Sequence, residues 1–410
     1  MSAPLHLAVA LDGTGFHPAS WRDPSARPAD VFTGRYWADL ARTAERGLLD
    51  FLTIEDSFGL QSSRWTGPDD RTDQVRGRLE ALSIASYIAP ITQHIGIVPT
   101  IVPTHTEPFH IASGVSTLDY VSRGRAGWRP QISARASEAA HLGRRTLPVI
   151  DPTARTVDPA GADVVRELFD EAADAVEVVR RLWDSWEDDA VIRDEPTGRF
   201  VDRHKLHYID FEGRFFRVKG PSIVPRPPQG QPLVVALAHS RVPFEFAARS
   251  ADVVLVTPRD RDDVARWVGG VREAERAVGR TGEPLRIFGD LVVVLAESTA
   301  AAQGRRERLD ELDGGRFKTD CAVWAGTPAD LAAELVGWST HGLTGFRLRP
   351  AVIGRDLDAI VDGVVPALQA SDVFRRRYEP GLLRQRIGFD RPVSRYAAAT
   401  ANPTANPTAE

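Results

Sequence analysis

The sequence predicts an α/β protein, a (β/α)8 TIM barrel carrying two insertions, and three observations predict it. Short, mostly apolar runs punctuate the chain, as strands buried on both faces do. Amphipathic helical patterns lie between them, the alternation of a parallel sheet. The runs number eight, which suits a closed barrel better than the rival doubly wound sheet.

The predicted strands cover residues 6–11, 51–54, 95–98, 126–132, 233–237, 253–256, 291–295 and 346–348. After the first of them, Trp37, Leu40, Ala41 and Ala44 follow the i, i+3, i+4, i+7 rule of a helix face. Phe169, Ala172, Val176, Val179 and Trp183 make a second stripe, and Leu357, Ile360, Val361, Val364 and Leu368 a third. Two intervals are too long for one helix and its loops. The first, 133–231, is expected to hold a loop over 134–162 and the helix ending near Trp183. A hairpin of 207–210 with 215–218 around Glu212-Gly213 should follow, then an extended Pro-rich stretch, 221–232. The second interval, 300–325, is charged and Gly-containing, and is expected to form a helix and loop near one end of the barrel. Residues 1–395 therefore read as one domain. The segment 396–410, low in complexity and with nothing to bury, is expected to be a disordered tail.

Composition narrows the function classes. The 410 residues are 42% hydrophobic and 26% charged, with a formal net charge of −5, the balance of a globular protein rather than a fibrous one. Lys+Arg total 51, yet only Lys205, Lys219 and Lys318 are lysines, a bias expected of a GC-rich genome. With no long basic run, nothing here suits a nucleic-acid backbone. Cys321 is the single cysteine, which excludes an internal disulfide. The first residues lack a signal peptide's basic and apolar regions, and no apolar run approaches the ~18 residues of a membrane span. A cytoplasmic protein is expected.

In a barrel, chemistry sits on the loops after the strands' C-terminal ends. Asp12-Gly13-Thr14-Gly15 is half a dinucleotide fingerprint, but Pro18 stands in place of the third glycine and no helix starts there. Glu55, Asp56, Glu107 and Glu297 follow strands, yet the fourth strand ends in Arg129-Pro130-Gln131, without an acid for a glycosidase pair. These carboxylates read better as helix caps or ligand contacts. The first strand ends Ala10-Leu11-Asp12 rather than in His-x-His, so no metal is expected. The sequence has no Gly-x-Ser-x-Gly elbow, and Cys321 reads as a packed residue. Arg129, immediately past Trp128, is expected to point into the cavity, where a guanidinium can bind phosphate or carboxylate bidentately.

The same loops carry a resemblance. Phe16-His17-Pro18-Ala19-Ser20-Trp21-Arg22 and Gly47-Leu48-Leu49-Asp50-Phe51-Leu52-Thr53-Ile54-Glu55-Asp56 resemble the opening of the bacterial-luciferase-like flavin monooxygenases. The closest branch is the nitrilotriacetate and dibenzothiophene-sulfone monooxygenase type. The likeness continues through His105-Thr106-Glu107-Pro108-Phe109-His110, 117–128 and 176–186, then Gly220-Pro221, Pro227-Pro228-Gln229-Gly230, Phe246-Ala247-Ala248-Arg249 and Val365-Pro366-Ala367-Leu368-Gln369.

The resemblance implies a (β/α)8 barrel that takes reduced FMN from a separate flavin reductase, uses O2, oxygenates a small organic substrate and forms a homodimer. It places Asp56 beside the isoalloxazine, Thr104 in a threonine-rich turn touching the flavin, and Ser240 on the phosphate. Three departures stand out. Arg129 replaces the family's usual Asn, Ala236-Leu237-Ala238-His239-Ser240 replaces Gln-Ala-Gly-Ser-Ser, and Val165 and Phe169 replace a phosphate-binding His and Tyr. Arg129, or an arginine of the 135–145 loop, is expected to supply the missing anchor. The expected cofactor-binding residues are thus Asp56, Thr104, Arg129 and Ser240, with no catalytic residue assigned. Two alternatives stay open: a deazaflavin-dependent oxidoreductase of the same superfamily, and a barrel that binds flavin or another ligand without turnover. A cavity lined by Phe16, Trp21, Phe58 and Phe109 would favour an apolar or aromatic substrate.

Overall fold

Burial along the strands decides the architecture. In β1 (His6–Leu11) every residue after His6 is buried, and in β2 (Phe51–Ile54), β3 (Gly96–Ile101) and β4 (Gly127–Pro130) every residue is. Such strands must be covered on both faces, which only a parallel sheet wrapped in helices provides. The computed structural model, which describes residues 5–64, 66–151 and 159–400, closes them into a barrel with β5 (Leu233–Leu237), β6 (Val253–Val256), β7 (Arg286–Leu295) and β8 (Gly345–Pro350). All neighbouring strands are parallel, in the order β6-β5-β4-β3-β2-β1-β8-β7, and β6 pairs with β7 to complete the circle. Around them run α1 (Gly34–Arg46), α2 (Ala81–Ile88), α3 (Pro108–Val121), α4 (Pro159–Asp184), α5 (Arg241–Ser250), α6 (Arg261–Ala277), α7 (Pro328–Ser339) and α8 (Ile353–Ala359). Beyond α8 the chain continues through a π-turn at Ile360–Val364 into Val365–Ala370. Pro366, with no N–H to offer, breaks the regular ladder there.

Several boundaries differ from the sequence expectation. β7 begins at Arg286 rather than 291, because Asp290, which looks like a strand break, sits inside the barrel. Its ten residues overrun β6, with which only Arg286 to Gly289 pair, and the same edge then pairs Leu291 to Leu295 with a further strand, Ala322–Gly326. The second insertion is therefore a helix, Thr299–Asp313, followed by that strand, not by a loop alone. In the first insertion the expected loop contains the helix Ala136–Leu142, and an additional hairpin pairs Val191–Asp194 with Arg199–Val201. The expected hairpin is shorter, Phe211–Glu212 with Arg217–Val218. The Pro-rich stretch is ordered by packing: Arg226, almost fully buried, binds Asp184 at 2.9 and 3.0 Å, and its carbonyl accepts from Tyr120 Oη at 2.8 Å. Arg395–Thr400 is helical, with Tyr396 stacked on His207, so ordered chain reaches past residue 396; the rest of the expected tail, 401–410, lies outside the described residues.

The barrel interior is layered. Its lower half is apolar, built from Ala8, Phe51, Val98, Val235, Leu255 and Phe288. From below, Leu383, Ile387 and Phe389 pack into the same cluster. This closing segment is tied to strand beginnings, with Leu383 N–H on the Gly124 carbonyl and Arg286 Nε on the Ile387 carbonyl. The larger core lies between barrel and helices, where Trp37, Trp128, Trp183 and Trp338 are buried. Among the described residues no helix is long and apolar enough to cross a membrane.

Candidate active site

The upper half of the lumen is charged. Alternation along a strand points every second residue inward, and the inward residues at this level are Thr53 and Glu55 of the β2 end, Arg129 of β4, Asp290 of β7, and Arg347 and Arg349 of β8. Arg347 holds Asp290 bidentately at 2.8 and 2.6 Å and reaches Glu55 Oε1 at 2.9 Å and Thr53 Oγ1 at 3.0 Å. Arg129 donates to Glu55 Oε2, to Gln131 at 2.8 Å and to Thr100 Oγ1 at 3.0 Å. Arg349 binds Asp290 and extends the chain of pairs to Asp320 at 2.7 Å, beyond the second-insertion helix. Burial alone would raise the Glu55 carboxyl, but Arg129, Arg347 and Arg349 hold it below its ordinary value. Three guanidiniums thus face three carboxylates, and the floor of the mouth is polar, rigid and close to neutral overall.

The rim is made by the loops after the strands. The β1 loop crosses the end of β8 so closely that a Cβ on Gly15 would lie 2.2 Å from the Ala351 carbonyl oxygen, and its φ of +139° suits only glycine. Asp12 meets Arg78 of the next loop at 3.2 and 3.0 Å. His17, its pKa lowered by burial, faces Asp310 of the second insertion at 3.2 Å and the Phe317 ring at 4.9 Å. Arg71 joins the β2 loop to Asp313 at 2.7 Å. Two loops and one insertion are therefore locked together on one side of the mouth.

Of the four residues expected at the cofactor, Asp56, Thr104 and Ser240 follow β2, β3 and β5 and Arg129 lies on β4; these strands are consecutive neighbours, so the four occupy one arc of the mouth. Asp56 accepts from the Ser57 and Ala81 N–H groups, both at 2.8 Å, and so secures the start of α2; burial raises its pKa. Thr104 is buried, its Oγ1 accepting from Ser133 N–H at 3.0 Å. Arg129 does point into the lumen, but its guanidinium is taken up by the floor. Ser240 is exposed at the N-cap of α5 with no side-chain capping bond, which leaves its hydroxyl and the first-turn N–H groups available.

The departures from the resemblance also have places. Phe169 packs against Phe246 of α5 at 5.5 Å, and Val165 lies half-buried one turn earlier on α4. The arginines of the 135–145 loop each face an acid: Arg135 faces Glu138 at 3.6 Å, Arg144 faces Glu107 at 2.9 Å, and Arg145 holds Glu171 at 2.5 and 2.6 Å. The sequence reading missed Asp290, Arg347, Arg349 and the part played by Glu55. The signal for two of them was present, since Arg347 and Arg349 stand at i and i+2 of a strand and must share a face.

Comparison with known proteins meets this geometry. The family model for luciferase-like monooxygenases matches residues 14–340. The chain is 31% identical to N-acetyl-S-(2-succino)cysteine monooxygenase of Bacillus subtilis (strain 168), covering 96% of this chain and 98% of that one. It is 29% identical to nitrilotriacetate monooxygenase component A of Aminobacter aminovorans over 96% and 98% of the two chains. It is also 29% identical to dibenzothiophene-sulfone monooxygenase of Rhodococcus erythropolis (strain XP), over 95% and 97%. Among solved structures, the long-chain alkane monooxygenase LadA shares the fold with a TM-score of 0.83 at 23% identity, covering 97% of this chain and all of that one. A closed eight-stranded parallel barrel, a family match over residues 14–340 and near-complete coverage of these relatives agree: the chain belongs to the luciferase-like monooxygenase family and is a flavin-dependent monooxygenase.

Proposed function

We propose that this enzyme takes reduced FMN from a separate flavin reductase and uses it with O2 to oxygenate a small organic molecule, working as a homodimer. One observation carries the choice of a phosphate-bearing flavin. Ser240 stands exposed at the N-terminus of α5 with no side-chain capping bond, beside the first-turn N–H groups, which have no partner among the described residues. Such an end, with its positive dipole, suits a phosphate without any further cation. The loss of His and Tyr at Val165 and Phe169 is then a loss of two donors, not of the site. A relative whose name ends in "component A" supports the two-component arrangement.

When bound, the reduced flavin supplies the electrons that activate O2. The remaining tasks fall to the chain. Ser240 with the Arg241 and Val242 N–H groups would hold the phosphate, and Asp56 and Thr104 would border the ring system. Arg129, paired with Glu55, would help fix the polar floor beneath the ring system. The locked rim loops would keep water out, which strengthens every polar contact inside.

The test is a fluorescence titration with FMN followed by turnover with NADH and a flavin reductase. Saturable binding and oxygen-dependent turnover are expected. Absence of FMN binding at tens of micromolar would sink the proposal, and tighter binding of the deazaflavin would favour hydride transfer instead.

A further inference from the structure

His105 differs from the other sheltered histidines. His6, His17 and His207 each face a carboxylate, Asp50 at 3.0 Å, Asp310 at 3.2 Å and Glu187 at 2.8 Å, and His341 Nε2 accepts from Arg261 Nε at 3.0 Å. The Nε2 of His105 is buried and, among the described residues, has no hydrogen-bond partner. A buried nitrogen left unpaired costs stability that an apolar ring of similar shape would not. The ring stands edge to face with Phe58, centroids 5.8 Å apart, a contact that leaves the nitrogen unpaired.

Its setting is the barrel mouth. His105 follows Thr104 in the loop after β3, Phe58 comes from the loop after β2, and Glu138 from the helix after β4. These loops are fastened to one another. Ser133 donates its N–H to Thr104 at 3.0 Å and its Oγ–H to Glu138 at 2.7 Å, and a Cβ on Gly59 would lie 3.0 Å from Glu138 Oε1. The charged groups that face His105 are Arg145, Glu138, Glu171 and Arg144. Arg145 is taken by Glu171, Arg144 by Glu107, and Glu138 by Ser133. Of this cluster only the imidazole nitrogen is left over. Burial, reinforced by Arg145, lowers the His105 pKa, so the ring is neutral at pH 7 and carries one N–H.

We propose that His105 is a specificity-determining residue, whose Nε2–H donates to an acceptor oxygen, carboxylate or sulfonyl, of the organic substrate in the barrel mouth. The assignment rests on the monooxygenase reading above and narrows its substrate class from small organic molecules in general to oxygen-bearing ones. A site built to bind an oxygen discriminates against hydrocarbons, because the nitrogen stays unpaired when a hydrocarbon enters.

The test uses the full chain and the variants His105→Phe and His105→Gln, with succinate and phenyl methyl sulfone as probes. FMN affinity and thermal stability are measured separately. The 15N resonance of His105 Nε2 is expected to shift on addition of one probe. The Phe variant should bind that probe about tenfold more weakly, the Gln variant nearly as well as the parent, and all three should bind FMN equally. The Phe variant should melt no lower than the parent. Three outcomes overturn the proposal: neither probe moves the resonance, the Phe variant binds the probe undiminished, or FMN affinity falls together with probe affinity. Failure of the parent protein to bind FMN would instead count against the cofactor reading, and the probe titrations would still decide His105.

Discussion

Arg129 of β4 and Arg347 of β8 grip the two oxygens of one carboxylate, Glu55, inside the barrel mouth. Replacing Glu55 by Gln leaves the Arg129 charge buried without its main counterion. Breaking a buried pair from one side costs about 3–5 kcal/mol, to be read from urea unfolding. Adding Arg129→Asn should restore part of that loss, with a coupling above about 1 kcal/mol in the double-mutant cycle. A Glu55→Gln variant within about 0.5 kcal/mol of the parent would show that the floor does not depend on this pair.

Acid should weaken the fold through two other buried carboxylates. Asp50 lies between His6 and Arg375, and Asp252 between Arg180 and Arg384. Burial alone would raise both, but these neighbours hold each at about 2. A carboxyl depressed in the folded state stabilises above its unfolded pKa, near ~4, and loses that contribution as pH falls toward ~2. Each is worth on the order of 2 kcal/mol at neutral pH. The urea midpoint should therefore drop between pH ~4 and ~2, and the Asp50→Asn protein, weaker at neutral pH, should lose less over that window. An equal drop in the variant would place the acid sensitivity elsewhere.

The phosphate reading of Ser240 can be separated from the rest of the flavin. Ser240→Asp sets a negative charge at the N-terminus of α5, where a phosphate would lie. FMN affinity should fall about tenfold or more, while riboflavin, which has no phosphate, should bind as before. Equal losses for both ligands would mean that Ser240 does not meet the phosphate.

Asp320 joins the second insertion to the floor through Arg349, which also lies 5.5 Å from the centre of the Phe16 ring. In Asp320→Ala, Arg349 keeps Asp290 but loses its tie to the insertion, so the insertion should open more often while the barrel stays closed. Hydrogen exchange should quicken about tenfold in 314–326 and remain unchanged in β5 and β6. Uniform acceleration would point to global destabilisation instead.

Cys321 is 2% exposed and burial raises its thiol pKa. The native protein should not react with a thiol reagent at pH 8, and one equivalent should react once urea has unfolded it. Fast labelling of the native state would mean that the packing around Val292 and Ala351 opens on the timescale of the experiment.

What the sequence disclosed, and what it hid, follows from where charge is placed. β1, β2, β5 and β6 have the bounds expected of them, because strands covered on both sides are written as continuous apolar runs. β7 and β8 came out too short because Asp290 and Arg349 point inward, and charge within a strand reads as its end. Asp290 and Arg347 stand 57 positions apart in sequence, so neither could advertise its partner. The strand Ala322–Gly326 was missed for a related reason: it is only half-buried and exists because β7 overruns its neighbour. At the site, the arc of loops was legible from strand order alone. The state of each side chain was not, since Arg129 is placed as expected yet already partnered, and nothing local in the sequence reveals that.

The segment holding Leu383, Ile387 and Phe389 gives the barrel an order of assembly. All eight strands leave the ribosome before the piece that seals their lower ends, and Phe389 then settles between Arg286 and Arg384 at 4.9 and 5.1 Å. Until that happens, the apolar lumen has an open base through which water reaches Phe51 and Phe288. A nascent chain halted near residue 380 would thus carry a full set of strands around a wet interior. Contacts made late in the chain are the ones that dry its centre.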